Sequence, residues 1–147
     1  MSNLSVQDCD SLFNELPQEI SQGVSLIKAA NNWQEKYRQL MLLGKYLTPV
    51  PLALRQESAQ VKGCESQAWL YHHQQLGQHF YLADSEARIV KGLIALLLAA
   101  TQGQTTAYIH AFDLEQYFND LGLSGQLSPS RTNGLTALAN EIKALAT

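Results

Sequence analysis

The stretch Gln67-Ala68-Trp69-Leu70-Tyr71-His72-His73-Gln74-Gln75-Leu76-Gly77-Gln78-His79-Phe80-Tyr81-Leu82-Ala83-Asp84 decides how this chain folds. Its first half, Gln67 to Gln74, is rich in aromatic and apolar residues. In its second half, Gln78 to Asp84, His79, Tyr81 and Ala83 alternate with Phe80 and Leu82. With Gln75-Leu76-Gly77 between them as a turn, the two halves predict an antiparallel hairpin. His72 and His73 then point to opposite faces of a strand and do not easily ligate one metal, although His79 across the hairpin makes a site conceivable.

The pattern changes period on both sides of the hairpin. Downstream, Asp84 or Ser85 caps a strongly apolar helix from Glu86 to about Thr101, interrupted only by Gly92. So little polar surface predicts a central helix covered on most sides. Thr105 to Ala111 and Asp113 to Leu121 read as two short helices, Pro129 breaks the chain, and Asn133 to Ala146 reads as a last amphipathic helix through Leu135, Leu138, Ile142 and Leu145. Upstream, Leu26, Ile27, Ala30, Trp33, Tyr37, Leu40, Met41 and Leu43 recur at helical spacing with a break near Asn31-Asn32. Asn32 is the expected N-cap, with Glu35 completing a near capping box, and the helix ends between Gly44 and Leu47. Residues 1–23 are polar and weakly patterned, an N-terminal extension with one short helix around Val6 to Leu16; residues 24–147 form the domain. The expected class is α+β, a single domain with a small antiparallel sheet packed against helices.

Thr48 to Gln60 carries Pro49 and Pro51, as an irregular loop does, and leads to Val61-Lys62-Gly63-Cys64-Glu65-Ser66-Gln67-Ala68-Trp69. Cys64 thus falls at the junction of a loop and a strand. Gly63 permits a positive φ beside the thiol, a common way to present a nucleophile at the tip of a turn.

Composition excludes large classes of function. The chain has 147 residues and a formal charge of −3, with 16% charged residues, so no basic excess drives phosphate-backbone binding and nucleic acid is not an expected partner. The longest apolar run, Leu93 to Ala100, is too short for a membrane span. Asp8, Asp10, Glu15 and Glu19 replace the basic start of a signal peptide, so a cytoplasmic protein is expected. Its two cysteines, with 54 residues between them, make neither a disulfide framework nor a zinc knuckle, and both thiols read as free.

Four blocks in order carry a family resemblance: Trp33-Gln34-Glu35-Lys36-Tyr37-Arg38-Gln39-Leu40 running on to Gly44-Lys45, Gly63 to Trp69, Asp84-Ser85-Glu86-Ala87-Arg88-Ile89-Val90-Lys91-Gly92-Leu93, and Leu127-Ser128-Pro129-Ser130-Arg131-Thr132-Asn133-Gly134-Leu135. From about Val24 to the end the chain resembles the SufE-like sulfur-acceptor family, whose SufE and CsdE branches are partners of cysteine desulfurases. The resemblance implies a fold like that of the scaffold IscU, with the acceptor cysteine on a loop at one edge of the sheet. That cysteine is Cys64 by motif position, with Gly63, Glu65 and Arg131 supporting it. It implies a carrier that forms a cysteine persulfide, stimulates its desulfurase and has no turnover of its own. It also implies that the partner, SufS-like or CsdA-like, holds pyridoxal phosphate while the carrier holds no cofactor or metal. The sulfur then passes to a downstream acceptor or iron–sulfur scaffold. Glu65 to Trp69 reads nearer to SufE, while Trp33 to Lys45 and Ser85 to Gly92 read nearer to CsdE.

The chemistry asked of Cys64 follows from its thiol. Sulfur exchange uses the thiolate, and an unperturbed thiol with a pKa of about 8.5 is only slightly ionised at neutral pH. Lys62 beside it in the chain favours the thiolate and Glu65 opposes it, and the resemblance implies that Arg131, whose block lies near the active loop in the family, adds to the first. An apolar recess around Cys64 would keep the resting protein inert until docking. Glu65, Asp84, Glu86 and Arg88 form the expected charged docking patch around the loop, in which rim charges set association rate. Three other readings compete. A Cys–His hydrolase would pair Cys64 with His110 or His73, an IscU-like scaffold would need more cysteine ligands, and in a plain interaction module the cysteine is incidental.

Overall fold

The structure, a computed structural model, describes residues 16–63 and 66–147. The helix expected around Val6 to Leu16 lies outside them except for its last residue, and Cys9, Cys64 and Glu65 also lie outside. The described elements are α1 (Gln18–Ala29), α2 (Trp33–Leu43), β1 (Ala68–Gln75), β2 (Gln78–Ser85), α3 (Arg88–Thr101), β3 (Gln104–Thr105), α4 (Thr106–Ala111), α5 (Leu114–Asp120) and α6 (Pro129–Leu145). Together they make one α+β domain with a three-stranded antiparallel sheet in the order β1-β2-β3. No helix among the described residues is long and apolar enough to cross a membrane.

Helix α1 starts at Gln18, so the expected boundary at residue 23 falls inside it. Ile20 and Ile27 lie two turns apart on one face and are both fully buried, and Gly23 between them meets Leu43. Polar neighbours hid this stripe in the sequence; residues 18–23 belong to the helical layer. Asn32 caps α2 as expected, accepting the Glu35 N–H at 2.8 Å. The Glu35 carboxylate turns instead to Arg38 and Gln39, whose hydrogen bonds hold it down at about 2. Lys36 is buried, and its ammonium donates to the carbonyls of Ile27 at 2.7 Å and Leu121 at 2.9 Å. A cation there satisfies a carbonyl at the negative end of α1 and ties α1, α2 and the end of α5 together.

The hairpin registers Ala68 with Ser85 and Gln75 with Gln78. The turn is therefore the two residues Leu76-Gly77, with φ of +52° and +78°, the primed geometry that matches strand twist. One face of the sheet, with Leu70, Tyr81 and Ala83, joins the main core, and the other, with Trp69 and Leu82, packs under Val50 and Leu54 from the proline-bearing loop. That loop contains two short 3₁₀ turns, Leu52–Leu54 and Glu57–Ala59. The short strand β3 was not expected. Just ahead of it in the chain, the Gln102 side-chain amide takes the Tyr81 N–H at 2.7 Å and donates to the Tyr81 carbonyl at 2.9 Å, continuing the hydrogen bonding along β2 past His79.

Helix α3 is central, as the sequence predicts, with Leu93 to Leu98 all buried. It starts at Arg88 and not at Glu86, with Ala87 at the N-cap position and no side-chain cap. Ser85 accepts the Ala87 N–H at 3.2 Å, and Asp84 is taken up elsewhere. A Cβ added at Gly92 would stand 2.8 Å from the Leu40 carbonyl carbon, so this glycine lets the α2 and α3 backbones meet. The last helix begins at Pro129, not Asn133. Proline is favoured at the first helical position, and Ser128 caps it by accepting the Arg131 N–H. Tyr81 donates to the Ile142 carbonyl at 2.9 Å and pins α6 to β2; burial raises its phenol pKa. Tyr117 donates to the Leu96 carbonyl at 2.7 Å, and burial pushes it up to about 12.

At the turn end of the hairpin, His72 Nε2 lies 2.7 Å from His79 Nδ1, and His79 Nε2 lies 2.6 Å from Thr106 Oγ1. His79 is fully buried. Burial lowers both pKa values, and neighbouring imidazoles add to it, those of His79 and His73 for His72 and that of His110 for His79.

Two outcomes follow. Gly92→Ala should destabilise by about 3 kcal/mol, the upper end for overpacking, because the obstacle is backbone; circular-dichroism melting should show a drop of roughly 10 °C. The lowered histidines contribute stability that is fully present above their unfolded pKa of about 6.5 and lost as pH falls through the lower folded values. Melting temperature should therefore fall on acidification from about pH 7.5 to about pH 5. His79→Gln should make that fall smaller; an unchanged pH profile would remove the histidines as its cause.

Candidate functional site

The loop expected to carry the site is closed by hydrogen bonds on both sides. Val61 donates to the Ala68 carbonyl at 2.9 Å, and Gln60 bridges to Trp69. On the strand side, the Gln67 carbonyl accepts the Glu86 N–H at 3.2 Å and the Ser85 hydroxyl at 2.7 Å, while the Gln67 N–H reaches Glu86 Oε1 at 3.3 Å. Gly63 has φ of +94°, as its place before the cysteine predicts, and an added Cβ would sit 3.1 Å from Ala137 on α6. Both a left-handed backbone and a close helix demand glycine there.

Beside this loop lies a cavity of about 270 Å³ between β1, α3 and α6. Val90, Leu93, Ile94, Leu135 and Leu138 form its apolar side, and Ser66, Ser128, Ser130 and Arg131 its polar side. Gly63 and Ser66 are the described residues nearest Cys64 in the chain, and a Cα step is about 3.8 Å. Ser66, which lines the cavity, lies just past the two undescribed residues Cys64 and Glu65. Arg131 lines the cavity from the first turn of α6, and its guanidinium has no ion-pair partner among the described residues.

The expected docking patch is divided. Glu86 and Arg88 are exposed, and Glu86 touches Gln67 on the strand side of the loop. Asp84 is not part of such a surface, because its side chain has no solvent exposure. Its Oδ2 accepts the Val50 N–H at 2.9 Å and lies 3.2 Å from Arg55; its Oδ1 accepts the Ser85 N–H at 2.8 Å and lies 3.3 Å from Lys91. Arg55 also donates to the Val50 carbonyl at 3.0 Å and stands 5.0 Å over the Trp69 ring. Asp84 is an internal clamp that holds the proline-bearing loop to the sheet and to α3.

Arg55, Lys91 and the three cavity serines went unnoticed in the sequence. Arg55 and Asp84 are far apart in the chain, so no local spacing signals the pair, while Ser128 and Ser130 sit inside a block read for its order. The rival site residues are engaged elsewhere. His110 contacts the Ala146 carbonyl at 2.5 Å and lines a separate groove of about 670 Å³ near α5 and α6. His72 and His79 bond to each other, and among the described residues no group of three metal-ligating side chains occurs.

Residues 21–146 match the family SufE, described as an Fe–S metabolism associated domain. The sulfur acceptor protein CsdE of Escherichia coli strain K12 is 44% identical over 111 residues, which cover 75% of this chain and 76% of that protein. The cysteine desulfuration protein SufE of Wigglesworthia glossinidia brevipalpis is 35% identical over 116 residues, covering 78% of this chain and 81% of the relative. A solution structure of a hypothetical protein from Thermus thermophilus superposes with a TM-score of 0.68 over 90% of this chain and 96% of its own. At 19% identity that likeness concerns the fold alone.

Asp84→Asn should cost about 3 kcal/mol, since it leaves two cations beside a buried site without a counter-charge. Urea unfolding is the measurement. A midpoint unchanged from that of the parent would show that the clamp is dispensable.

Proposed function

This chain belongs to the SufE family, and from that premise we propose that it is a sulfur acceptor and carrier for a cysteine desulfurase. The observation that carries the reading is its similarity, over three quarters of its length, to a protein named for accepting sulfur, with a second relative named for cysteine desulfuration. Cys64 is the acceptor. Its thiolate attacks the outer sulfur of the desulfurase's cysteine persulfide, the sulfur–sulfur bond of the desulfurase breaks, and the desulfurase cysteine leaves as a thiolate. The product is a persulfide on Cys64, and no net oxidation occurs. The closed loop stems and Gly63 suit this role because they hold the chain on each side of the loop that carries the cysteine.

The partner is a desulfurase of the SufS or CsdA kind, and the higher identity to CsdE supports the second. Pyridoxal phosphate belongs to that partner, and the carrier needs no cofactor of its own. The carrier stimulates the desulfurase by removing its persulfide, and the sulfur goes on to iron–sulfur cluster assembly, in keeping with the description of the family. A reducing compartment, the cytoplasm, keeps Cys64 free for the next cycle. With two cysteines in the chain, a cluster scaffold would lack thiolate ligands. Lys62 and Arg131 favour the thiolate and Glu65 opposes it. Glu86 and Arg88 are the exposed charges next to the loop that meet the desulfurase.

The test is mass spectrometry after incubation with a cysteine desulfurase and cysteine. The protein should gain one sulfur, Cys64→Ser should gain none, and Cys9→Ser should gain nearly as much as the parent. Acceptance that survives in Cys64→Ser and disappears in Cys9→Ser would overturn the assignment.

A further inference from the structure

Asp84 withdraws into the interior, and the exposed surface of the loop it clamps is apolar. Leu52 is 82% exposed, and Tyr46, Pro49, Pro51 and Ala53 around it are exposed as well. A single exposed leucine on a turn, such as Leu76, is ordinary. Leu52 instead belongs to a run of exposed apolar residues on a rigid backbone. Its 3₁₀ turn is closed by the Leu54 N–H on the Pro51 carbonyl at 2.8 Å and by the Arg55 N–H on the Leu52 carbonyl at 3.1 Å, and Tyr71 donates to the Leu54 carbonyl at 2.7 Å. Just ahead of it the Val50 N–H is held by Asp84 and the Val50 carbonyl by Arg55, and prolines fix φ on both sides of Val50. Folding has therefore already met the ordering cost that an interface on this loop would carry.

The partner follows from what surrounds the ridge. A Cβ added at Gly44 would stand 3.1 Å from Lys91 Cβ and 3.3 Å from the Arg88 carbonyl, so Lys45 and Tyr46, next in the chain, lie at the start of α3. Val50 bonds to Asp84, and Ser85 and Glu86 after it close the downstream stem of the cysteine loop. The ridge thus lies at the end of the domain that carries the stems, whereas Leu76 lies past the far end of β1, roughly 25 Å along the strand. Arg55 and Lys91 match Asp84, which leaves Lys45, Lys62 and Arg88 against Glu57 and Glu86 among the described exposed residues here, although the whole chain has a formal charge of −3.

We propose that the ridge of Tyr46, Pro51 and Leu52 is the apolar anchor of desulfurase docking and fits an apolar hollow of the enzyme rimmed by carboxylates. The proposal rests on the sulfur-acceptor reading and adds to its exposed charges the contact that holds the complex together. Lys45, Lys62 and Arg88 meet the enzyme's carboxylates and speed encounter. Leu52 and Tyr46 lose water on docking and slow departure.

The experiment is surface plasmon resonance on immobilised desulfurases of the SufS and CsdA kinds, with their catalytic cysteines replaced by alanine so that no sulfur moves. On the enzyme that binds the parent, Leu52→Ala should raise Kd about tenfold, chiefly through faster dissociation and with little dependence on salt. Arg88→Glu should slow association, and its effect should shrink as salt rises. Leu76→Ala should leave both rates unchanged, and Leu52→Ala should melt with the parent because its side chain is exposed. A Kd in Leu52→Ala equal to that of the parent, or a loss in Leu76→Ala as large as that in Leu52→Ala, would overturn the proposal. Parent binding without any gain of sulfur from the active enzymes would sink the sulfur-acceptor reading while the affinities still decide the ridge, and binding to neither enzyme would remove the ridge as a desulfurase contact.

Discussion

A carboxylate with no exposed surface must be neutralised where it sits, and Asp84 is neutralised by groups from three separate parts of the chain. Arg55 and the Val50 N–H come from the proline-bearing loop, the Ser85 N–H from the end of β2, and Lys91 from the first turns of α3. None of these can move far without leaving charge or lone pairs unsatisfied. The clamp therefore fixes the loop that covers the outer face of the sheet, and Trp69 lies between that loop and β1 under the Arg55 guanidinium. Trp69 is also the bridge partner of Gln60, so the same clamp sets the upstream stem of the cysteine loop. The downstream stem depends on Ser85 and Glu86, the residues next to Asp84 in the chain. Both stems thus lead back to one buried charge.

How legible this was depends on the range of each interaction. The hairpin and the central helix could be read because their periodicities of two and 3.6 residues are local, and each survives without knowledge of its neighbours. The start of α1 was hidden because a single buried stripe, Ile20 and Ile27, is spread among polar residues. Pro129 read as a breaker, although after a capping Ser128 it begins a helix; the same residue serves both ends of the rule. Asp84 read as a surface cap because its counter-charge, Arg55, lies on another element and no spacing connects the two. The turn at Gly63 was legible from its place in the sequence, whereas the cavity walls, drawn from β1, α3 and α6, exist only once the chain has folded.

The histidines show the cost of polar groups at the other end of the hairpin. His79 is buried but keeps both ring nitrogens partnered, one by His72 and one by Thr106, and this arrangement holds only while the pair shares a single bridging proton. If both rings carried two protons, two N–H groups would face each other across the contact. The network thus resembles the Asp84 clamp in topology, tying β1, β2 and α4, but it uses neutral groups and loses its fit when both rings are charged.

β1 runs between the two devices, which gives the domain a polarity. Its first residues are held at the loop end, Ala68 by the Val61 N–H and Trp69 under the Arg55 guanidinium of the Asp84 cluster. Its later residue His72 is held by an imidazole pair that loses its fit when both rings carry two protons. Protonation of the pair acts on the half of the hairpin nearer the Leu76-Gly77 turn, away from the stems of the cysteine loop. The cavity, built against α3 and α6, meets the sheet at the other end of β1, at Ala68. The two polar devices of the hairpin therefore sit apart along β1, and the stems on either side of the cysteine loop depend on the Asp84 cluster and not on the imidazole pair.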